Sequence, residues 1–133
     1  MMKSKNLSYY MIALWLLLLI LTACAGSNDA PAQTVELYFQ ALVEKDQEHL
    51  VNLSCSEWEE TALLTLDSFS NVEATLFDVV CQTIDDDSTT AKVTCEGAIS
   101  ATYDGEAREF PLSGQNYLVI QEGGEWRMCG YYE

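Results

Sequence analysis

Lys92-Val93-Thr94-Cys95-Glu96-Gly97-Ala98-Ile99-Ser100-Ala101-Thr102-Tyr103 carries the clearest periodicity in the chain. Val93, Cys95, Gly97, Ile99, Ala101 and Tyr103 alternate with Lys92, Thr94, Glu96, Ser100 and Thr102. A period of two puts one set on a buried face and the other in water, as in a half-buried strand. Downstream, Asp104-Gly105 and Gly123-Gly124 are the residue pairs that two-residue hairpin loops favour. Upstream, Asp85-Asp86-Asp87-Ser88 reads as a turn from a preceding strand. The expected strands are therefore 72–84, 89–103, 106–121 and 125–132, with Pro111 and Gly114 marking a bulge or an edge in the third.

Before residue 72 the period is helical. Val35, Tyr38, Phe39, Ala41 and Leu42 recur at helical spacing, and Pro31 suits a first turn, which predicts a helix over 31–45. Asp46 can cap a short second helix carrying Leu50, Val51 and Leu53. Ser56 and Glu59 have capping-box spacing ahead of Trp58, Ala62, Leu63 and Leu66, the apolar face of a third helix. A block of helices followed by a block of strands indicates an α+β fold, N-terminal helices packed on a curved four-stranded antiparallel meander sheet. There is no internal repeat.

The N-terminus has a different character. Lys3 and Lys5 precede an almost wholly apolar run from Tyr9 to Leu21, and no acidic residue occurs before Asp29. That is the layout of a secretory signal. The run ends in Leu21-Thr22-Ala23-Cys24, which resembles the lipobox of bacterial lipoproteins at all four positions. The resemblance implies a diacylglycerol thioether on Cys24 and cleavage just before it. It places the protein on the outer face of the bacterial cell membrane, with the lipid bilayer as its partner through Cys24. An uncleaved spanning helix is the competing reading, since the apolar run approaches the roughly 17–25 residues that cross a bilayer. A plain secretory signal is another. The expected organisation is a signal peptide at 1–23, a flexible tether at 24–33 and the folded domain at 34–133.

The chain carries 21 Asp+Glu against 6 Lys+Arg, a net charge of -15. Without residues 1–23, four bases face 21 acids, a balance of -17. Such a chain offers no basic face to phosphates, which excludes nucleic acid as a partner. Its acidity suits solubility and repulsion from anionic headgroups.

Apart from Cys24, four cysteines remain: Cys55, Cys81, Cys95 and Cys129. An even number in an exported chain fits two disulfides, with three possible connectivities. Cys81 and Cys95 flank the acidic turn and are candidates for cross-strand neighbours, which leaves Cys55 for Cys129. Reduced buried thiols are the alternative. The cysteines form no C-x-x-C pair, and His49 lacks a neighbouring cysteine, so zinc is not expected.

The segment 31–46 resembles the opening helix of the nuclear transport factor 2-like superfamily, and Gly123-Gly124-Glu125-Trp126-Arg127-Met128 resembles its last hairpin. The resemblance spans most of 31–132 at the level of pattern and implies a cone-shaped domain. Enzymes of that superfamily, of the ketosteroid isomerase-like and polyketide cyclase-like types, use a cavity acid beside a tyrosine. Here Asp78 alternates out of phase with Phe77, Val79 and Cys81, which turns it to solvent, and His49 follows the Asp46 cap in a polar turn. Tyr38, Tyr103 and Tyr117 are candidates to reach a cavity, but Tyr38 and Tyr103 belong to apolar stripes and read more readily as core, and Tyr131-Tyr132 reads as a packed or frayed tail. The Asp85–Asp87 run lacks the alternating ligands of a calcium loop. There is no nucleophile motif, phosphate-cradling loop or dinucleotide fingerprint, so no cofactor is expected. Two readings follow: a non-catalytic module for a small ligand or an envelope protein, or a small cavity enzyme. A buried Asp or Glu beside a cavity tyrosine separates them.

Overall fold

The computed structural model describes residues 29–132. Residues 1–28, with Cys24 and the rest of the lipobox, lie outside the described residues, as does Glu133.

Helix α1 spans Ala30–Glu44 and begins where the Asp29 carboxylate accepts a hydrogen bond from the Ala32 N–H at 3.4 Å. Residues 30–33 are thus the first turn of a helix and not part of a tether. Asp29 is held there because the same carboxylate also accepts from Thr83, from its N–H at 2.9 Å and from its hydroxyl. Lys45 ends α1 in the left-handed conformation. Helix α2 spans Gln47–Asn52, with Asp46 accepting from the His49 N–H at 3.0 Å. Helix α3 spans Glu59–Ser68 but lacks the expected capping box: Trp58 is its N-cap and makes no side-chain cap bond. The Ser56 N–H and hydroxyl donate instead to the Glu122 carboxylate, at 3.1–3.2 Å. This carboxylate competes successfully because the loop is pinned beside it, with the Cys55 N–H donating to the Met128 carbonyl at 2.8 Å.

The strands are β1 (Glu73–Asp86), β2 (Thr90–Tyr103), β3 (Glu106–Pro111), β4 (Asn116–Glu122) and β5 (Glu125–Tyr132), all antiparallel to their neighbours. Among the described residues there are five strands where four were expected, because the third breaks in two. Pro111 has no N–H to donate, and Gly114 takes φ 85°. Across the break Leu112 is buried, and its N–H returns to the Gly97 carbonyl at 2.9 Å. The two pieces then share one edge of β2: β3 pairs with Ala98–Tyr103, and β4 with Thr90–Thr94. Both hairpin loops have positive φ at both central residues, 47° and 83° at Asp104-Gly105 and 64° and 81° at Gly123-Gly124. That geometry matches the right-handed strand twist.

One residue changes the facing of β1. Phe77 pairs with Ala98 and Val80 with Glu96, so Asp78 and Val79 together oppose Gly97, a β-bulge with Asp78 at φ 47°. The bulge keeps Asp78 exposed and Val79 half-buried, but it turns Phe77 outward, 57% exposed. The expectation that Phe77 shares the inner face of Val79 and Cys81 fails for that reason.

The core lies between α1 and the inner face of the sheet. Val35, Tyr38, Phe39 and Leu42 of α1 pack in one buried cluster with Val93, Val119 and Met128. Two disulfides close it: Cys81–Cys95 across β1 and β2, and Cys55–Cys129 between the α2–α3 loop and β5. The outer edge of β1 is also covered. Glu36 accepts from the Cys81 N–H at 2.8 Å, as Asp29 does from Thr83, so α1 satisfies donors that would otherwise invite another strand.

Candidate functional site

A cavity of about 390 Å³ lies between the helical layer and the concave face of the sheet, within the size range of small-molecule pockets. Its inner wall comes from α1 (Tyr38, Phe39, Leu42), β4 (Tyr117) and β5 (Met128). Trp58, at the start of α3, and Tyr131 of β5 form a second wall. Phe69, Tyr103 and Phe110 complete it, the last two partly exposed. The polar contributors are tyrosine hydroxyls, Thr65, Ser68 and Gln115. Among the described residues lining it there is no Asp, Glu, His, Lys or Arg.

Local folding explains these placements. Helical spacing brings Tyr38, Phe39 and Leu42 to one side of α1. In the sheet, Ile99 pairs with Phe110 and Tyr117 with Tyr131, so each pair projects to the same concave face. Trp58 packs over Gly130, where an added Cβ would sit 3.0 Å from the indole. Absence of a side chain at Gly130 therefore lets the indole lie against β5.

The rings form a closed circuit. Tyr38 meets Phe39 at a centroid distance of 5.7 Å, Phe39 meets Tyr117 at 5.3 Å, and Tyr117 meets Tyr131 at 5.9 Å. Tyr131 meets Trp58 at 5.6 Å, and the Trp58 Nε1–H donates to the Tyr38 hydroxyl oxygen at 3.1 Å. Edge-to-face contacts dominate, the arrangement ring quadrupoles prefer. Burial pushes the Tyr38 phenol up, despite the opposing Trp58 hydrogen bond. Burial, with Tyr131 beside it, pushes Tyr117 up to about 12. Both phenols stay neutral over the physiological range. Tyr117 donates its proton to the Leu112 carbonyl at 3.1 Å. Tyr38, accepting from Trp58, keeps its own proton to donate.

The cavity gathers all three candidate tyrosines, Tyr38, Tyr103 and Tyr117, including the two that read more readily as core. It also uses Tyr131, which the sequence suggested was tail, while Tyr132 lies apart with the Lys92 ammonium 4.6 Å from its ring centre. Trp58, Phe69 and Phe110 were not read as cavity residues. Asp78 and His49 do not line it. The His49 Nδ1 lies 3.2 Å from the Asp46 carboxylate on the surface, and the cap bond from the His49 N–H, then that side-chain contact, hold Asp46 below its usual range. Asp87 accepts from the Thr89 N–H and hydroxyl and from the Thr90 N–H, so the acidic run is a hydrogen-bonded turn. Among the described residues no His, Cys, Asp and Glu cluster is arranged to hold a metal. A second depression, about 470 Å³, is shallower and lies at the surface by Lys45, Gln47, Leu63 and Asp67.

Among solved structures, the chain is similar to a nuclear transport factor 2-like protein with a cystatin-like fold from Novosphingobium aromaticivorans, at 13% identity and a TM-score of 0.54, over 96% of this chain and 86% of that one. The fold is the nuclear transport factor 2-like one. A SEC-C motif containing protein from Rhodopseudomonas palustris is similar at 10% identity and a TM-score of 0.51, over 80% of this chain and 81% of that one. No protein-family profile matches the chain, and no curated protein matches it. Identities this low carry the fold alone. What the cavity does must come from its own side chains.

Proposed function

We propose that the protein is a lipid-anchored bacterial envelope lipoprotein whose nuclear transport factor 2-like domain holds a small organic ligand without transforming it. The observation that carries the binding reading is the 390 Å³ aromatic cavity, lined among the described residues by no Asp, Glu, His, Cys, Lys or Arg. A cavity isomerase needs a carboxylate poised beside its tyrosine. Here the two most buried tyrosines are engaged with Trp58 and Leu112, and neither has a carboxylate partner in the cavity. The domain is suited to recognising shape and ring surface.

The anchor rests on Leu21-Thr22-Ala23-Cys24 at the end of the apolar run. Two disulfides support an oxidising compartment. Cleavage before Cys24 would leave only residues 25–28 between the lipidated cysteine and the Asp29 cap, a reach of at most about 18 Å. The folded unit would ride close to the bilayer by the start of α1. Leu42, on the cavity wall, would then lie about 20 Å along the helix axis from that attachment.

Two experiments test this reading. Cys24→Ala should abolish the acyl mass on the mature N-terminus and leave the chain uncleaved at that position; a lipid mass that survives the substitution defeats the anchor. Thr65→Trp places an indole in the cavity and should remove ligand binding at unchanged fold, judged by far-ultraviolet circular dichroism.

A further inference from the structure

We infer that the cavity selects a poorly hydrated organic cation, of the quaternary ammonium class, over anions and over neutral molecules of the same shape. The inference rests on the binding reading above and names its ligand class.

Two independent observations carry it. The first is the ring circuit Tyr38–Phe39–Tyr117–Tyr131–Trp58, closed by the indole-to-phenol hydrogen bond. Aromatic quadrupoles attract a cation, most strongly where water is excluded. The second is charge. From Asp29 to Tyr132 only Lys45, Lys92, Arg108 and Arg127 balance 20 acidic residues, so the potential around the cavity favours cations and repels anions. The bases are also occupied or displaced from the cavity. Lys92 lies over Tyr132, and Arg127 donates to the Asn52 carbonyl and pairs with Glu125. Arg108 alternates onto the face of Phe110, but so does Glu106 of opposite sign.

What the lining lacks narrows the class further. With no carboxylate among the described lining residues, a primary ammonium would give up its strong hydration for neutral hydroxyl and amide oxygens alone, with no counter-charge to offset that loss. A quaternary ammonium has no N–H donors and sheds water readily, so rings suffice. The free proton of the Tyr38 hydroxyl can meet an acceptor oxygen elsewhere on such a ligand.

Calorimetric titration of the full chain, in a maltoside detergent, with choline and with its uncharged isostere 3,3-dimethylbutan-1-ol tests the inference. Choline should bind about tenfold more tightly at low ionic strength, as a cation–π contribution of ordinary size predicts. The preference should narrow as salt screens the acidic surface. Tyr131→Leu should weaken choline several-fold while changing the alcohol less than twofold, and Tyr131→Phe should restore choline binding. Tyr131 is 56% exposed at the cavity mouth, so the fold tolerates both variants. Equal binding of the two compounds, or tighter binding of the alcohol, overturns the cation preference and leaves a neutral-ligand pocket standing. If neither compound binds saturably, both this inference and the pocket reading fall.

Discussion

Gly97 sits opposite the bulge in β1, at φ 90°, and a Cβ there would lie 2.5 Å from the carbonyl oxygens of Phe77 and Asp78. Both the backbone conformation and the missing space require glycine. Gly97→Ala should cost roughly 2–4 kcal/mol in urea unfolding, because the bulge must shift to admit it. Gly105→Ala is the control: φ is 83°, nothing lies within 4 Å, and only the conformational cost of about 1–2 kcal/mol applies. Asp29 makes a second residue-scale prediction. Burial raises its pKa, but the hydrogen bonds from Thr83 and Ala32 outweigh it and hold the carboxyl below 3.8. A depressed folded pKa means stability that is complete above the unfolded value and lost as pH falls through the folded one. Asp29→Asn should therefore lower Tm at neutral pH, and the gap should close in strong acid. A gap that stays constant into strong acid contradicts this assignment.

At the scale of elements, the two bridges do unequal work. Cys55–Cys129 closes a separation of 74 residues and Cys81–Cys95 one of 14. Chain entropy predicts that replacing the first pair by serine costs about 4.5 kcal/mol and the second about 3, readable from denaturant unfolding with m rising as the denatured chain expands. Losing the long bridge should also loosen Trp58, three residues from Cys55, and change its fluorescence. Elements were legible where local pattern decides them. The alternation of 92–103, the Asp104-Gly105 and Gly123-Gly124 turns and the Asp46 cap all act over a few residues. Three features were not, because distant groups decide them. Ser56 abandons its capping box for Glu122, 66 residues away. The bulge at Asp78 reverses the facing of Phe77, which no alternation count shows. The strand over 106–121 breaks after Pro111 because Leu112 finds a place in the core and a partner in Gly97.

At the scale of the molecule, the cavity was the least legible feature. Its rings come from α1, both ends of α3, β2, β3, β4 and β5, so no sequence window contains them. Apolar stripes marked Tyr38 and Tyr103 as buried without distinguishing core from cavity wall, while Trp58 and Tyr131 become partners only once the Cys55–Cys129 bridge and Gly130 bring α3 against β5. The charge of the whole chain takes on a direction here: an acidic domain surrounds a cavity with no charge of its own. Function of the kind proposed requires this cavity to be an open binding site and not merely core. Ligand-observed saturation-transfer NMR of wild type and Thr65→Trp, against a panel of small organic cations and their neutral isosteres, tests it most directly. Saturable one-to-one binding to wild type, absent from a Thr65→Trp protein of equal Tm, is the predicted result. No binding by any member, or binding that Thr65→Trp leaves unchanged, would contradict it.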